Sequence, residues 1–216
     1  MDVPLLVQTV AIYALPVLFA ITLHEAAHGY VARHFGDMTA HAQGRISLNP
    51  LRHIDPIGTI VVPLVLLFFS SFLFGWAKPV PVNYSALRKP RQHMAWVAAA
   101  GPLANLAMAL AWALILKVAS LMPANSYTVP LRLMGEAGIL VNLLFMFLNL
   151  IPILPLDGGR IVASLLPNRA AWQYSKLEPW GLAVLILLVL PPLNVLGRIL
   201  NPLVDASDAL IRAILL

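Results

Sequence analysis

Pro4–Val31 reads PLLVQTVAIYALPVLFAITLHEAAHGYV, and this stretch decides the fold. It is long and apolar enough to cross a bilayer, yet it holds His24, Glu25 and His28, with no Lys or Arg. An ionisable side chain at that depth costs about 3 kcal/mol or more, so a compensating role is required. Two His at i and i+4 lie on one face of a helix, one turn apart. That spacing lets two imidazole nitrogens reach a single Zn²⁺, and the Glu beside the first His can act on water activated there. With six His and three Glu among 216 residues, HExxH arises by chance at about 0.002 per chain.

Composition agrees with a membrane setting. The chain is 60% hydrophobic and 11% charged, where soluble domains carry about 25% charged residues. Cysteine is absent, which excludes disulfides and thiolate metal sites, so a metal must be held by His and carboxylate. The net charge of +5 reads as cations marking cytoplasmic loops, not as a nucleic-acid surface. The N-terminal run has no basic n-region and is too long for a signal peptide, so a retained first span is expected.

Outward from the first span (about 5–31), apolar segments recur at 57–76, 94–122, 133–154 and 180–196, and an amphipathic tail covers 197–216. Cations cluster at Arg33, Arg45 and Arg52, at Arg88, Lys89 and Arg91, and at Arg160, Arg169 and Lys176. The positive-inside rule puts all three loops in the cytoplasm, which a single crossing by 57–76 would prevent. We expect 57–76 to be a re-entrant hairpin returning through GWAKPVPVN, a stretch that then walls the active site; a full span is the alternative. The tail lies on the surface or dips in as a further segment. The expected fold is an all-α polytopic membrane protein of about five to six membrane segments, forming one membrane-embedded domain over 1–216.

A catalytic zinc takes three protein ligands and leaves a position for water. His34, His41, His53 and His93 lie in polar loops, and Glu136 sits near the far end of its span. Asp157, in Asn149-Leu-Ile-Pro-Ile-Leu-Pro-Leu-Asp157-Gly-Gly-Arg160, is the acid near the end of an apolar segment. An Asp before Gly-Gly also reads as a turn residue. Depth favours a ligand: with the N-terminus outside, the first span ends in the cytoplasm, and 94–122 and 133–154 run out and back. Asp157 then arrives on the side where His24 and His28 lie.

HExxH in the first span, Gly101-Pro-Leu-Ala-Asn105 in a later one, and the NxxPxxxLDGGR run from Asn149 together resemble the site-2 protease family of membrane-embedded zinc metallopeptidases. GRISLNPLRHIDPIGT and GWAKPVPVN resemble its short prokaryotic branch, which lacks PDZ and CBS domains. The resemblance implies one Zn²⁺ per chain, held by His24, His28 and Asp157 between the first span and the span ending in LDGG. It implies Glu25 as general base, and Asn105 and Asn149 as substrate-binding residues. The substrates would be transmembrane proteins cut within or near the bilayer, and the site of a multi-pass cell-membrane enzyme would lie nearer the cytoplasm. A zinc or proton-coupled transporter is the alternative, since buried His, Asp and Glu also line ion paths, although no internal repeat is seen. An inactive relative that only captures membrane segments is the third.

Overall fold

A computed structural model describes residues 3–61, 77–189 and 194–216. The described residues are helical, with extended connections and no strands. Helix α1 (Val3–His34) is followed by a short α2 (Thr39–Ala42), then α3 (Pro90–Leu121), α4 (Thr128–Asn149), α5 (Asp157–Leu165), α6 (Asn168–Ser175), α7 (Glu178–Val189) and α8 (Val195–Leu215). Three of them, α1, α3 and α4, are long and apolar enough to cross a membrane. The chain is thus an all-α polytopic membrane protein.

α3 and α4 form an antiparallel hairpin held at two levels. At the turn, the Asn125 side chain accepts from the Tyr127 and Thr128 amides at 2.8 and 3.0 Å, which satisfies donors left open by the start of α4. Arg132, in the second turn of α4, donates to the carbonyls of Ala119 (2.9 Å) and Met122 (2.5 Å) and so covers the last carbonyls of α3. In the middle, Trp112 packs over Gly138, where any Cβ would overlap the indole. Close approach through small residues is how helices associate where lipid offers no hydrophobic drive. Ala109, Trp112, Ala113 and Leu116 of α3 then form one buried cluster with Ile139, Leu143 and Met146 of α4.

The same cluster includes Val204 and Ile211 of α8. At its other end α8 buries Leu196 and Leu200 against Leu185, with Phe147, Leu148 and Ile151 around them. The Lys117 ammonium donates to the Leu215 carbonyl at 2.7 Å, tying the far end of α8 to the C-terminal part of α3. So α8 runs the length of α4. Its 21 residues rise about 30 Å, a hydrocarbon thickness. Hydropathy does not pick it out because Arg198, Asp205, Asp208 and Arg212 interrupt the apolar pattern.

Two expected boundaries change. The segment 133–154 is helical only to Asn149, because a helix continued through Pro152 would lose an amide donor and push the ring against the Leu148 carbonyl. The segment 180–196 divides: one helix covers Glu178–Val189, residues 190–193 lie outside the described residues, and a new helix begins at Val195. Gly158 and Gly159 form no tight turn. They lie in the first turn of α5, and a side chain on either would overlap the backbone of residues 150–154.

Most of the expected hairpin 57–76 lies outside the described residues. Its flanks meet: the Lys78 amide donates to the His53 carbonyl at 2.9 Å, so the two lie at one level of the protein. Asp55 accepts from the Ile57 and Gly58 amides at 3.0 and 2.7 Å and so braces this loop. The cations act as fasteners as well. Arg88 donates to the His34 carbonyl at 2.7 Å and covers the end of α1, and Arg91 bonds Leu166 and Asn168, which fixes α5 against the start of α3.

Candidate metal centre

The centre is built from complementary stripes on α1 and α3. His24 and His28 stand one turn apart on α1, their rings at 85° with centroids 4.7 Å apart. Facing them, Val97, Gly101 and Asn105 recur every fourth residue on α3. Gly101 leaves the space for the imidazoles: a Cβ there would lie 2.5 Å from His28 Nε2 and 2.5 Å from His24 Cε1. On either side of that gap, α3 holds the far edge of each ring. His28 Nδ1 donates to the Val97 carbonyl at 2.7 Å, and His24 Nδ1 lies 2.6 Å from Asn105 Oδ1.

These partners set the tautomers. A carbonyl can only accept, so His28 carries its proton on Nδ1. Asn105 donates through Nδ2 to the Ala20 carbonyl (3.3 Å) and to Asn142 Oδ1 (3.1 Å), which leaves its oxygen toward His24 and makes Nδ1 the donor there too. In the neutral form each ring therefore turns its Nε2 lone pair inward.

Asp157 completes the set from the first position of α5. Its Oδ2 lies 3.1 Å from His24 Nε2 and 3.3 Å from His28 Nε2, and the two Nε2 atoms are 3.1 Å apart. All three side chains are buried, and Asp157 Oδ2 is buried with no hydrogen-bond donor. Three lone-pair donors pointed at one another repel unless a cation lies among them. Metal–ligand bonds of about 2.0–2.1 Å in a tetrahedron separate the ligand atoms by about 3.3 Å, close to the three edges observed. The donor set and its spacing fit zinc. Among the described residues it is the one group of three His, Cys, Asp or Glu placed to hold a metal.

Glu25 lies beside His24 but turns elsewhere. Its Oε2 accepts from the Val80 amide at 2.8 Å. Val80 belongs to the extended run 77–83, whose neighbouring carbonyls at Lys78 and Pro79 accept from the Arg45 guanidinium at 2.9 and 3.3 Å. This is the GWAKPVPVN stretch expected to wall the site. Asn105 is fully buried with both ends of its amide engaged inside the protein, its oxygen toward His24 and its nitrogen toward Asn142. Asn149 is half-buried at the end of α4 and donates to the Phe145 carbonyl at 3.0 Å. Glu136 lies elsewhere, lining a cavity of about 330 Å³ with Tyr13, Asp205 and Asp208. His53 is buried with Nε2 against the Ser47 carbonyl at 2.8 Å, and His93 stacks on Phe35.

Three parts of the centre were not foreseen: the Val97 carbonyl, the gap at Gly101, and Asn142. Only the last had a signal, as an amide inside the apolar run ILVNLLFMF, where a polar side chain needs a partner.

Membrane-crossing helices closed around a buried His–His–Asp triad define a polytopic membrane protein with an embedded metal centre. The chain is 38% identical over 199 residues to YwhC of Bacillus subtilis (strain 168), covering 90% of this chain and 87% of that one; the relative's name provisionally assigns a zinc metalloprotease. It is 28% identical over 183 residues to Rip2 of Mycolicibacterium smegmatis, and 29% identical over 179 residues to Rip2 of Mycobacterium tuberculosis (strain H37Rv), both under the same provisional description. This chain covers 66% and 65% of those two proteins. No family model matches the chain, and no solved structure matches it. The chain belongs to the family of these metalloproteases, the site-2 protease family.

Proposed function

We propose that this protein is an intramembrane zinc metalloprotease, hydrolysing peptide bonds within or near transmembrane segments of other proteins. The observation that carries the reading is the triangle of His24 Nε2, His28 Nε2 and Asp157 Oδ2, with its orphaned carboxylate oxygen, inside membrane-crossing helices. In this reading those three atoms hold one zinc ion. Zinc there supplies the Lewis acidity that polarises a carbonyl and acidifies a water.

The chain's own residues do the rest. Glu25 takes a proton from the attacking water and delivers it to the leaving amine. Its hydrogen bond to the Val80 amide keeps Oε2 aimed along the 77–83 segment, where a substrate backbone would pass. Asn105 orients His24. Asn149, with its nitrogen held by Phe145, offers its amide oxygen to unwound substrate backbone. Substrate helices must unwind locally, since helical carbonyls are hydrogen-bonded, and helix-weak residues lower that cost. The cations that cover the end of α1 and the start of α3 support a centre nearer the cytoplasmic face of the cell membrane.

The test is cleavage of a panel of single-span proteins reconstituted with the purified chain in liposomes. The reading expects a product from the wild type and none from Glu25→Gln, with zinc retained by both. Zinc flux across the liposomes without cleavage would overturn it in favour of a transporter.

A further inference from the structure

Asn142 lies in the middle of α4 and is fully buried, in a run that is otherwise apolar. It touches none of the three candidate metal ligands through a hydrogen bond. Its Nδ2 donates to the Gly138 carbonyl at 2.8 Å, and its Oδ1 accepts from Asn105 Nδ2 at 3.1 Å. Asn105 Oδ1 in turn faces His24 Nδ1 at 2.6 Å. The chain of bonds therefore runs from the Gly138 carbonyl through two amides to one imidazole.

Direction along this chain is forced. The Gly138 carbonyl accepts only, so it takes the amide nitrogen of Asn142 and leaves that residue's oxygen toward Asn105. An oxygen there calls for the nitrogen of Asn105, and the Ala20 carbonyl at 3.3 Å calls for the same group. With its nitrogen so held, Asn105 presents oxygen to His24. Were the Asn105 amide reversed, its nitrogen would donate to His24 Nδ1, and the ring proton would move to Nε2. That proton would point into the triangle with His28 and Asp157 and exclude a metal.

We propose that Asn142 is a positioning residue: anchored on the Gly138 carbonyl, it fixes the Asn105 amide and thereby the tautomer in which His24 offers Nε2 to a metal. The inference rests on the zinc-centre reading above. It extends the support of the site to a third membrane-crossing helix, so that α1, α3 and α4 are joined by amides at one level. An interhelical bond serving stability alone would show the same contacts; the two roles differ in what a substitution changes.

The experiment measures zinc affinity by chelator competition on the purified full chain, for the wild type, Asn142→Leu, Asn142→Asp, Asn105→Ala and the Asn105→Ala/Asn142→Leu double variant, with circular dichroism as the folding control. Asn142→Leu removes the acceptor and is expected to weaken zinc about 10- to 100-fold, the usual effect of losing an outer partner of a ligand. Asn142→Asp keeps an acceptor oxygen in either protonation state and is expected to stay within about twofold of the wild type. In the double variant, Asn142→Leu should add nothing to Asn105→Ala, because its effect travels through Asn105. Wild-type affinity in folded Asn142→Leu, or losses that multiply in the double variant, would overturn the proposal. If Asn142→Leu does not fold, folded Asn142→Asp decides: zinc retained supports the proposal and zinc lost overturns it. A wild type that holds no zinc overturns the metal-centre reading itself, a result distinct from either.

Discussion

Gly101→Ala tests the centre by adding one methyl group. A Cβ at this position would sit 2.5 Å from His28 Nε2, 2.5 Å from His24 Cε1 and 2.6 Å from His24 Nε2. Ordinary carbon contacts need about 3.5 Å or more, so each ring must retreat by about 1 Å or the two helices must part. Metal sites tolerate deviations of only about 0.2 Å in bond length. Without metal the rings can swing aside; with metal they cannot, so the strain falls on binding. Overpacking of this kind costs about 1–3 kcal/mol, which corresponds to about 5- to 150-fold weaker zinc. Chelator competition would read that loss, and thermal unfolding of the metal-free proteins should show a smaller difference. Wild-type zinc affinity in Gly101→Ala would refute the packing argument, as would a metal-free form destabilised by as much as its zinc binding is weakened.

Asp157→Ala is expected to lose zinc, whereas Glu25→Gln keeps it and loses about 10²–10⁴-fold in cleavage rate; metal analysis beside a peptide-release assay separates the two. Zinc should raise the thermal stability of the wild type by about 2.7 kcal/mol at a free concentration of 100 times its dissociation constant, and leave Asp157→Ala unchanged in the same calorimetric scan. Arg132→Ala should cost about 1.5–3 kcal/mol of stability by opening the α3–α4 turn, with zinc affinity unaltered. Val80→Pro removes the amide that holds Glu25 and should slow cleavage with zinc retained, whereas Val80→Ile, which keeps the amide, should remain near wild type.

What could be read in advance followed from spacing and depth. His24 and His28 fall on one face through the helical period, and Asp157 reaches them because the chain runs out and back between Met94 and Leu154. Both arguments need only residue types and a count of crossings. The partners that aim the ligands were hidden for different reasons. A backbone carbonyl such as Val97 carries no side-chain signature, and Gly101 in GPLAN looks like any small residue on a packed helix until the rings opposite it are known. Asn105 was visible as a polar group in an apolar run, but its partners His24 and Asn142 were not, because a one-dimensional reading cannot pair residues on different helices. The tail from 197 was obscured by its charges: Asp205 and Arg212 lower its hydropathy, while Leu196, Leu200, Val204 and Ile211 bury one side of it along the bundle.

The division of α1 into two working faces follows from the same helical geometry. Successive residues turn by about 100°, so His24 and His28 meet α3 and α5 while Glu25 and Gly29 look toward Ile46 and Val80. The triplet Pro79-Val80-Pro81 has one amide hydrogen, because proline has none, and that hydrogen is given to Glu25. The residue before a proline is also held extended, which suits Val80 to run alongside α1 without joining a helix. A carboxylate kept by such a segment is close in sequence to the metal ligands yet free of their triangle, as a base needs to be if it is to remain unligated while three other groups bind zinc.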